Sequence, residues 1–384
     1  MLVFTPVSWM AFLLLGIATL VHITFVNLVL GLSVIVPFTE YLSYRRRDEK
    51  LMDVARRTFK YLILTDLVAG VWGTWITIAL AGLWPTLTYI ATTVLFVPIT
   101  VALVGILIAI PSIAIYWYTW GKVSRGVHLF VGCLMAFGAL LVPAGFRMIF
   151  AFVDDPVGLN EALKGNLYAI FGNPIYPILV VWSWFGSLAM SALVAGGIYA
   201  WRARSSTNGT GTGLKETTYF LELGIPFLVV TGVLGAYFFI TLQSVSPYIF
   251  AGLTGNTSVA QYNFLPIFLL YPLLMITAFC AASALYSLAR KGKLNKFAAF
   301  VLVAAAFLMG PIVEAANDAS RAPYMVITGN TGLPANAFAN TMIPISWSIA
   351  ELAVTIAVVV MSTFLLGIYF IYKVKTGPIT EETI

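Results

Sequence analysis

Residues 9–42 read WMAFLLLGIATLVHITFVNLVLGLSVIVPFTEYL. The run holds no Asp, Lys or Arg, and a single histidine, His22, stands near its middle. At about 1.5 Å rise per residue, a helix of this length outruns the roughly 30 Å hydrocarbon core of a bilayer. An ionisable side chain at that depth is costly, so His22 is a functional-site candidate from the outset.

The rest of the chain is of the same kind. It has 384 residues, 60% hydrophobic and 9% charged, with a mean hydropathy of +0.96. A soluble domain is about a quarter charged. The composition therefore specifies an all-α polytopic membrane protein, in which helices satisfy every backbone hydrogen bond within the segment. Nine apolar segments are predicted as membrane helices, over roughly 9–39, 58–84, 88–120, 127–153, 172–201, 217–243, 262–289, 297–317 and 341–372, all in a single membrane domain spanning 1–384. A net charge of +6 does not point to nucleic acid, because the basic residues cluster at helix ends. All but Arg147, Lys164 and Arg321 of the 21 lie on alternate connections and the tail, including a first loop read as Arg45 to Lys60. The positive-inside rule then places the N-terminus outside and the C-terminus in the cytoplasm, as an odd helix count requires. The expected location is the plasma membrane, with lipid as the immediate environment. Residues 205–213, SSTNGTGTG, are expected to form a flexible linker, and the connections 154–171, 244–261 and 318–340 to lie on the outer side. Cys133 and Cys280 sit in apolar runs and are expected to be small core residues.

The ionisable groups within apolar segments are His22, Glu40, Asp66, His128, Arg147, Glu222, Glu314 and Glu351. Glu40 and His128 fall near helix ends, where the interface would hold them. Asp66, Glu222 and Glu351 are either hydrogen-bonded packing residues or steps of a proton path. Arg147 either pairs with an acid or snorkels out of the bilayer. Imidazole and carboxylate can each bind a metal centre, and histidine is a common axial ligand of haem, so His22 and Glu314 are the haem-ligand candidates.

His22, followed without a gap by Gly31-Leu32-Ser33 and Glu40, resembles the first helix of subunit I of the cytochrome bd-type quinol oxidases. Trp120-Gly121-Lys122 through His128, and Val313-Glu314-Ala315 with Arg321-Ala322-Pro323-Tyr324, resemble the same family. The resemblance implies two four-helix bundles plus one extra helix. It implies a subunit that holds a low-spin b haem, a high-spin b haem and a d haem, the last two forming the oxygen-reducing site. By position His22 matches a histidine ligand of one of that pair, and Glu314 a glutamate ligand of the other.

Departures from the pattern are as telling. The low-spin haem's histidine falls on Trp182 and its methionine near Leu270, with Met275 close by. The family's two glutamates of the third helix fall on Val101 and Ala109, and the quinol-binding loop shrinks to 244–261. No low-spin b haem is expected. The resemblance thus implies a diverged copy of subunit I that does not bind quinol. It would pair with a complete subunit I as a heterodimer in an oxidoreductase that oxidises quinol and reduces oxygen to water. A haem of b or d type at His22/Glu314 stays open, as does a vestigial pocket filled by quinone or lipid. Three alternatives also stay open: an unusual haem-bearing catalytic subunit, a haem-free transporter, and a structural subunit on the same scaffold.

Overall fold

The computed structural model describes residues 5–6, 9–203, 213–338 and 340–341, with the isolated positions 355, 358, 362 and 369. In chain order the elements are β1 (Thr5–Pro6), α1 (Trp9–Arg46), α2 (Glu49–Leu83), α3 (Pro85–Val94), α4 (Phe96–Thr119), α5 (Arg125–Asp154) and α6 (Leu159–Leu163). There follow α7 (Tyr176–Arg202), α8 (Leu214–Val245), α9 (Pro247–Thr254), α10 (Leu265–Arg290), α11 (Lys296–Ser320), β2 (Tyr324–Thr328), β3 (Thr331–Pro334) and β4 (Asn340–Thr341). Eight helices among the described residues, α1, α2, α4, α5, α7, α8, α10 and α11, are long and apolar enough to cross a membrane. The expected ninth span, 341–372, lies outside the described residues apart from Thr341 and those isolated positions, as do Glu351 and the linker at 205–212.

Three expectations about the elements are corrected. The first connection is not a basic loop. Arg47, with a positive φ of 53°, and Asp48 are all of it, and α2 begins at Glu49. The Asp48 carboxylate accepts from the backbone N–H groups of Lys50 and Leu51, capping a helix whose first turns carry Lys50, Arg56, Arg57 and Lys60. The segment read as 88–120 is broken at Leu95 into α3 and α4. Pro98 has no N–H to give to the Val94 carbonyl and its ring crowds that carbonyl, which favours a break there. The long connections also carry structure: α6 lies within 154–171, α9 within 244–261, and β2 pairs antiparallel with β3 within 318–340. Cys133 and Cys280 are exposed on the outward faces of α5 and α10 rather than in the core.

Helices α1, α2, α4 and α5 pack into one group and α7, α8, α10 and α11 into a second. The two groups meet where α1 lies against α7 and α11, and α5 against α7. Lipid tails are as apolar as leucine, so such contacts rely on close approach and interhelical hydrogen bonds. Gly31 supplies the closest approach between the groups. A Cβ there would overlap the Ser187 carbonyl oxygen and the Ser191 hydroxyl. Freed of that Cβ, Ser187 donates to Asn27 Oδ1 at 2.9 Å and Ser191 to the Leu28 carbonyl at 3.2 Å. This seam on α1 lies between His22 and Glu40.

Candidate functional site

Glu314 comes from the last third of α11, and Arg147 reaches it from α5. Glu314 is 4% exposed, and its Oε1 lies 2.5 Å from Arg147 Nη2. The guanidinium is held on its other sides as well. Its Nε donates to Ser183 Oγ at 2.6 Å, Ser183 donates to the Leu179 carbonyl at 2.8 Å, and the plane lies over the Phe150 ring, 5.0 Å from its centroid. Of the two readings of Arg147, pairing with an acid is the one observed.

Two cavities flank this pair, and Arg147, Trp182, Tyr271 and Glu314 line both. One, of about 60 Å³, runs toward Asn27, Ser183 and Ser187 at the seam between the helix groups. The other, of about 260 Å³, is apolar and bounded by α7, α8, α10 and α11, with Trp182 and Met275 in its walls. Trp182 stacks on Phe238 with centroids 5.4 Å apart and meets Tyr271 edge-on at 6.0 Å. Its indole N–H only donates, so it has no lone pair for a metal. Leu270 turns outward and is exposed; Met275 lines the larger cavity with Trp182, and Met190 and Met309 line the smaller one with it.

His22 is placed by the packing of α1 on α2. Its Nδ1 lies 2.8 Å from the Ala69 carbonyl oxygen, an acceptor, so the proton sits on Nδ1 and the lone pair on Nε2. The absent side chain of Gly73 makes room for the ring, since a Cβ there would stand 2.6 Å from His22 Cε1. A second-sphere hydrogen bond of this sort fixes the tautomer of a metal-ligating histidine. His22 thus has the tautomer that an axial ligand of haem iron would need, with the lone pair on Nε2. Glu314 fits less well, because one carboxylate oxygen already faces Arg147. His22 lines neither cavity at Glu314, so the two candidates do not share a chamber. Among the described residues no three His, Cys, Asp or Glu side chains cluster as a metal-ion site.

Glu40 and His128 are enclosed by the protein rather than exposed at the helix ends. Glu40 is wholly buried and His128 is 3% exposed. His128 Nδ1 lies 2.8 Å from Glu40 Oε1, and His128 Nε2 lies 3.0 Å from the Tyr116 carbonyl oxygen. Both ring nitrogens of His128 thus face oxygen acceptors. Tyr116 donates to Glu40 Oε2 at 2.5 Å and Tyr44 to Oε1 at 2.9 Å. α1 runs on past Glu40 to Arg46, His128 stands in the first turn of α5, and the cluster joins α1, α4 and α5 beside Trp120.

A second ionic group had no counterpart in the sequence reading. Arg321, just past α11, binds Asp154 at the end of α5 with Nη1–Oδ1 of 2.6 Å, and its Nη2 also bonds Asp318. Burial works against the charged form of Arg321, but Asp154 and Asp318 outweigh it and its pKa is raised. Tyr248 on α9 donates to the Ala322 carbonyl at 2.8 Å, which ties α9 to this corner. The signal was available in the helical spacing of Glu314, Asp318 and Arg321 along one face. Of the remaining acids, Asp66 is half-buried with no ion pair or side-chain hydrogen bond among the described residues, and Glu222 accepts from Tyr286 at 3.2 Å.

Comparison with known proteins bears on the fold and the family. The structure of bd oxidase from Geobacillus thermodenitrificans matches with a TM-score of 0.77 at 18% identity, over 95% of this chain and 98% of that one. That likeness is one of fold. No protein of curated function matches the chain. A model of the family described as cytochrome bd terminal oxidase subunit I matches residues 10–246, more than half of the sequence and the whole of the stretch from His22 to Trp182. The chain belongs to the cytochrome bd terminal oxidase subunit I family.

Proposed function

We propose that this chain is the partner subunit of a bd-type terminal oxidase, paired as a heterodimer with a complete subunit I that oxidises quinol and reduces oxygen. The observation that carries this reading is the cavity between α7, α8, α10 and α11. Met275 lines it, but Trp182 stands where a histidine ligand would be needed, and its indole stacks into the space. With the α8–α10 connection reduced to α9 and a short turn, the chain has little with which to enclose a quinol headgroup. Its apolar walls suit a lipid or quinone tail instead.

In this proposal the plasma membrane holds nine spans, with the N-terminus outside and the C-terminus cytoplasmic. Of the two haem-ligand candidates, His22 offers a free Nε2 held in the ligating tautomer, whereas Glu314 offers a carboxylate already paired. A haem at His22 would supply a redox-active iron. The chain's own part there is to aim the nitrogen and keep its proton on Nδ1, through Ala69. Purification by a tag on this chain, in mild detergent, tests the pairing. A complex containing a larger, complete subunit I is expected, and recovery of this chain alone from cells that assemble an active oxidase without it would refute it.

A second reading, that the chain itself is an unusual haem-bearing catalytic subunit, is favoured by His22 alone. Quinol-dependent oxygen uptake by the isolated, folded chain would decide for it.

A further inference from the structure

We propose that Arg147 takes the place of iron at Glu314, so that a guanidinium rather than a haem is the permanent partner of this carboxylate. The first ground is geometry. Arg147 Nη2 lies 2.5 Å from Glu314 Oε1, a charge-assisted contact at the short end of its range. Neither side chain is free to leave: Glu314 is buried on α11, and Arg147 is fixed by Ser183 and Phe150 as well as by the carboxylate.

The second ground is charge. An oxidised iron porphyrin carries one positive charge at the metal once its ring nitrogens are counted. The porphyrin's propionates lie at the ring edge, so at the carboxylate itself the iron and the guanidinium compete for Glu314, whose Oε1 already faces Arg147. Asp154 and Asp318 are already bonded to Arg321. Turning Glu314 to an iron would strand Arg147 as a buried cation, the costliest outcome of breaking a buried pair.

The third ground is space. The larger cavity beside Glu314, at about 260 Å³, falls below the roughly 300–1,000 Å³ that small-molecule sites occupy. Trp182 already stands in its wall against Phe238. Sequence position alone made Glu314 a ligand candidate; the tertiary contact with Arg147 gives it a different partner. The inference does not depend on which subunit this chain pairs with.

The test uses the tagged complex as isolated. Haem per complex is counted by the pyridine haemochromogen method, and melting temperature is recorded, for wild type, Glu314→Gln, Arg147→Gln and the double variant Arg147→Leu/Glu314→Leu. Unchanged haem in every variant is expected, with a downward shift in melting temperature for each single variant and recovery of most of that shift in the double. Loss of one haem equivalent on Glu314→Gln overturns the proposal, as does a double variant no more stable than the singles. Should the single variants fail to assemble, a cryo-EM map of the unmodified complex decides. Density for Arg147 on the Glu314 carboxylate supports the proposal, and an iron bonded to that carboxylate refutes it. A complex that lacks a complete subunit I but keeps the ion pair would defeat only the partner reading.

Discussion

Replacing Gly31 by Ala tests the seam that joins the two helix groups. The new Cβ would stand 2.7 Å from Ser191 Cβ and overlap the Ser187 carbonyl oxygen. Two carbons in contact need about 3.5–4.0 Å, so α1 and α7 must part locally by about 1 Å. Overpacking of that kind costs about 1–3 kcal/mol. The parting also breaks the Ser187–Asn27 and Ser191–Leu28 hydrogen bonds, worth about 0.6 kcal/mol each between membrane helices. Alanine returns about 0.5–1 kcal/mol through helix propensity, and a control cancels that gain. Gly16 lies on the same helix with nothing within 4 Å of an added Cβ. Gly31→Ala should therefore be less stable than Gly16→Ala by about 2–4 kcal/mol. Thermal unfolding of the complex in lipid nanodiscs measures the difference. Equal stability of the two variants would show that α1 and α7 do not approach as closely as described, and the placement of Asn27 beside the Glu314 cavities would fall with it.

Four further outcomes are expected. His22→Ala in the assembled complex should lower the Soret absorbance by a discrete fraction; an unchanged spectrum with a stable complex would leave His22 as a packing residue hydrogen-bonded to Ala69. Glu40→Leu removes the acceptor shared by His128, Tyr116 and Tyr44, and should cost about 3–5 kcal/mol in the same unfolding assay, whereas a loss under about 1 kcal/mol, the range of exposed pairs, would contradict a buried ion pair. Arg321→Ala leaves Asp154 buried without its cation and should destabilise by a similar amount, with limited proteolysis first cutting near the β2–β3 hairpin; a cut elsewhere would detach that hairpin from the Asp154 corner. A cysteine placed at Thr380 should resist membrane-impermeant label in intact cells and react in inverted vesicles, and ready labelling in cells would reverse the proposed topology.

Membrane character and helical class were legible in the residues, because a bilayer imposes a nearly one-dimensional rule: long apolar runs, bounded by charge, must be helices. The errors arose where a local feature overrode that rule. Asp48 caps α2 early and carries basic residues into a helix, and Pro98 breaks a run that hydropathy alone reads as continuous. Family membership was also legible, through short motifs of which those around His22 and His128 fall within the matched residues 10–246. The partners of those residues were not legible. Glu40 and His128 are far apart in the chain, as are Arg147 and Glu314, and Asp154 and Arg321, and nothing in the spacing of a sequence tells a charge near a helix end from one that meets its opposite across a bundle. The sequence by itself therefore determined the solvent, the helices and the lineage. Only the tertiary structure decided which buried charges neutralise one another, because burial makes an unpaired charge prohibitive while the packing of separate helices alone settles where its partner stands.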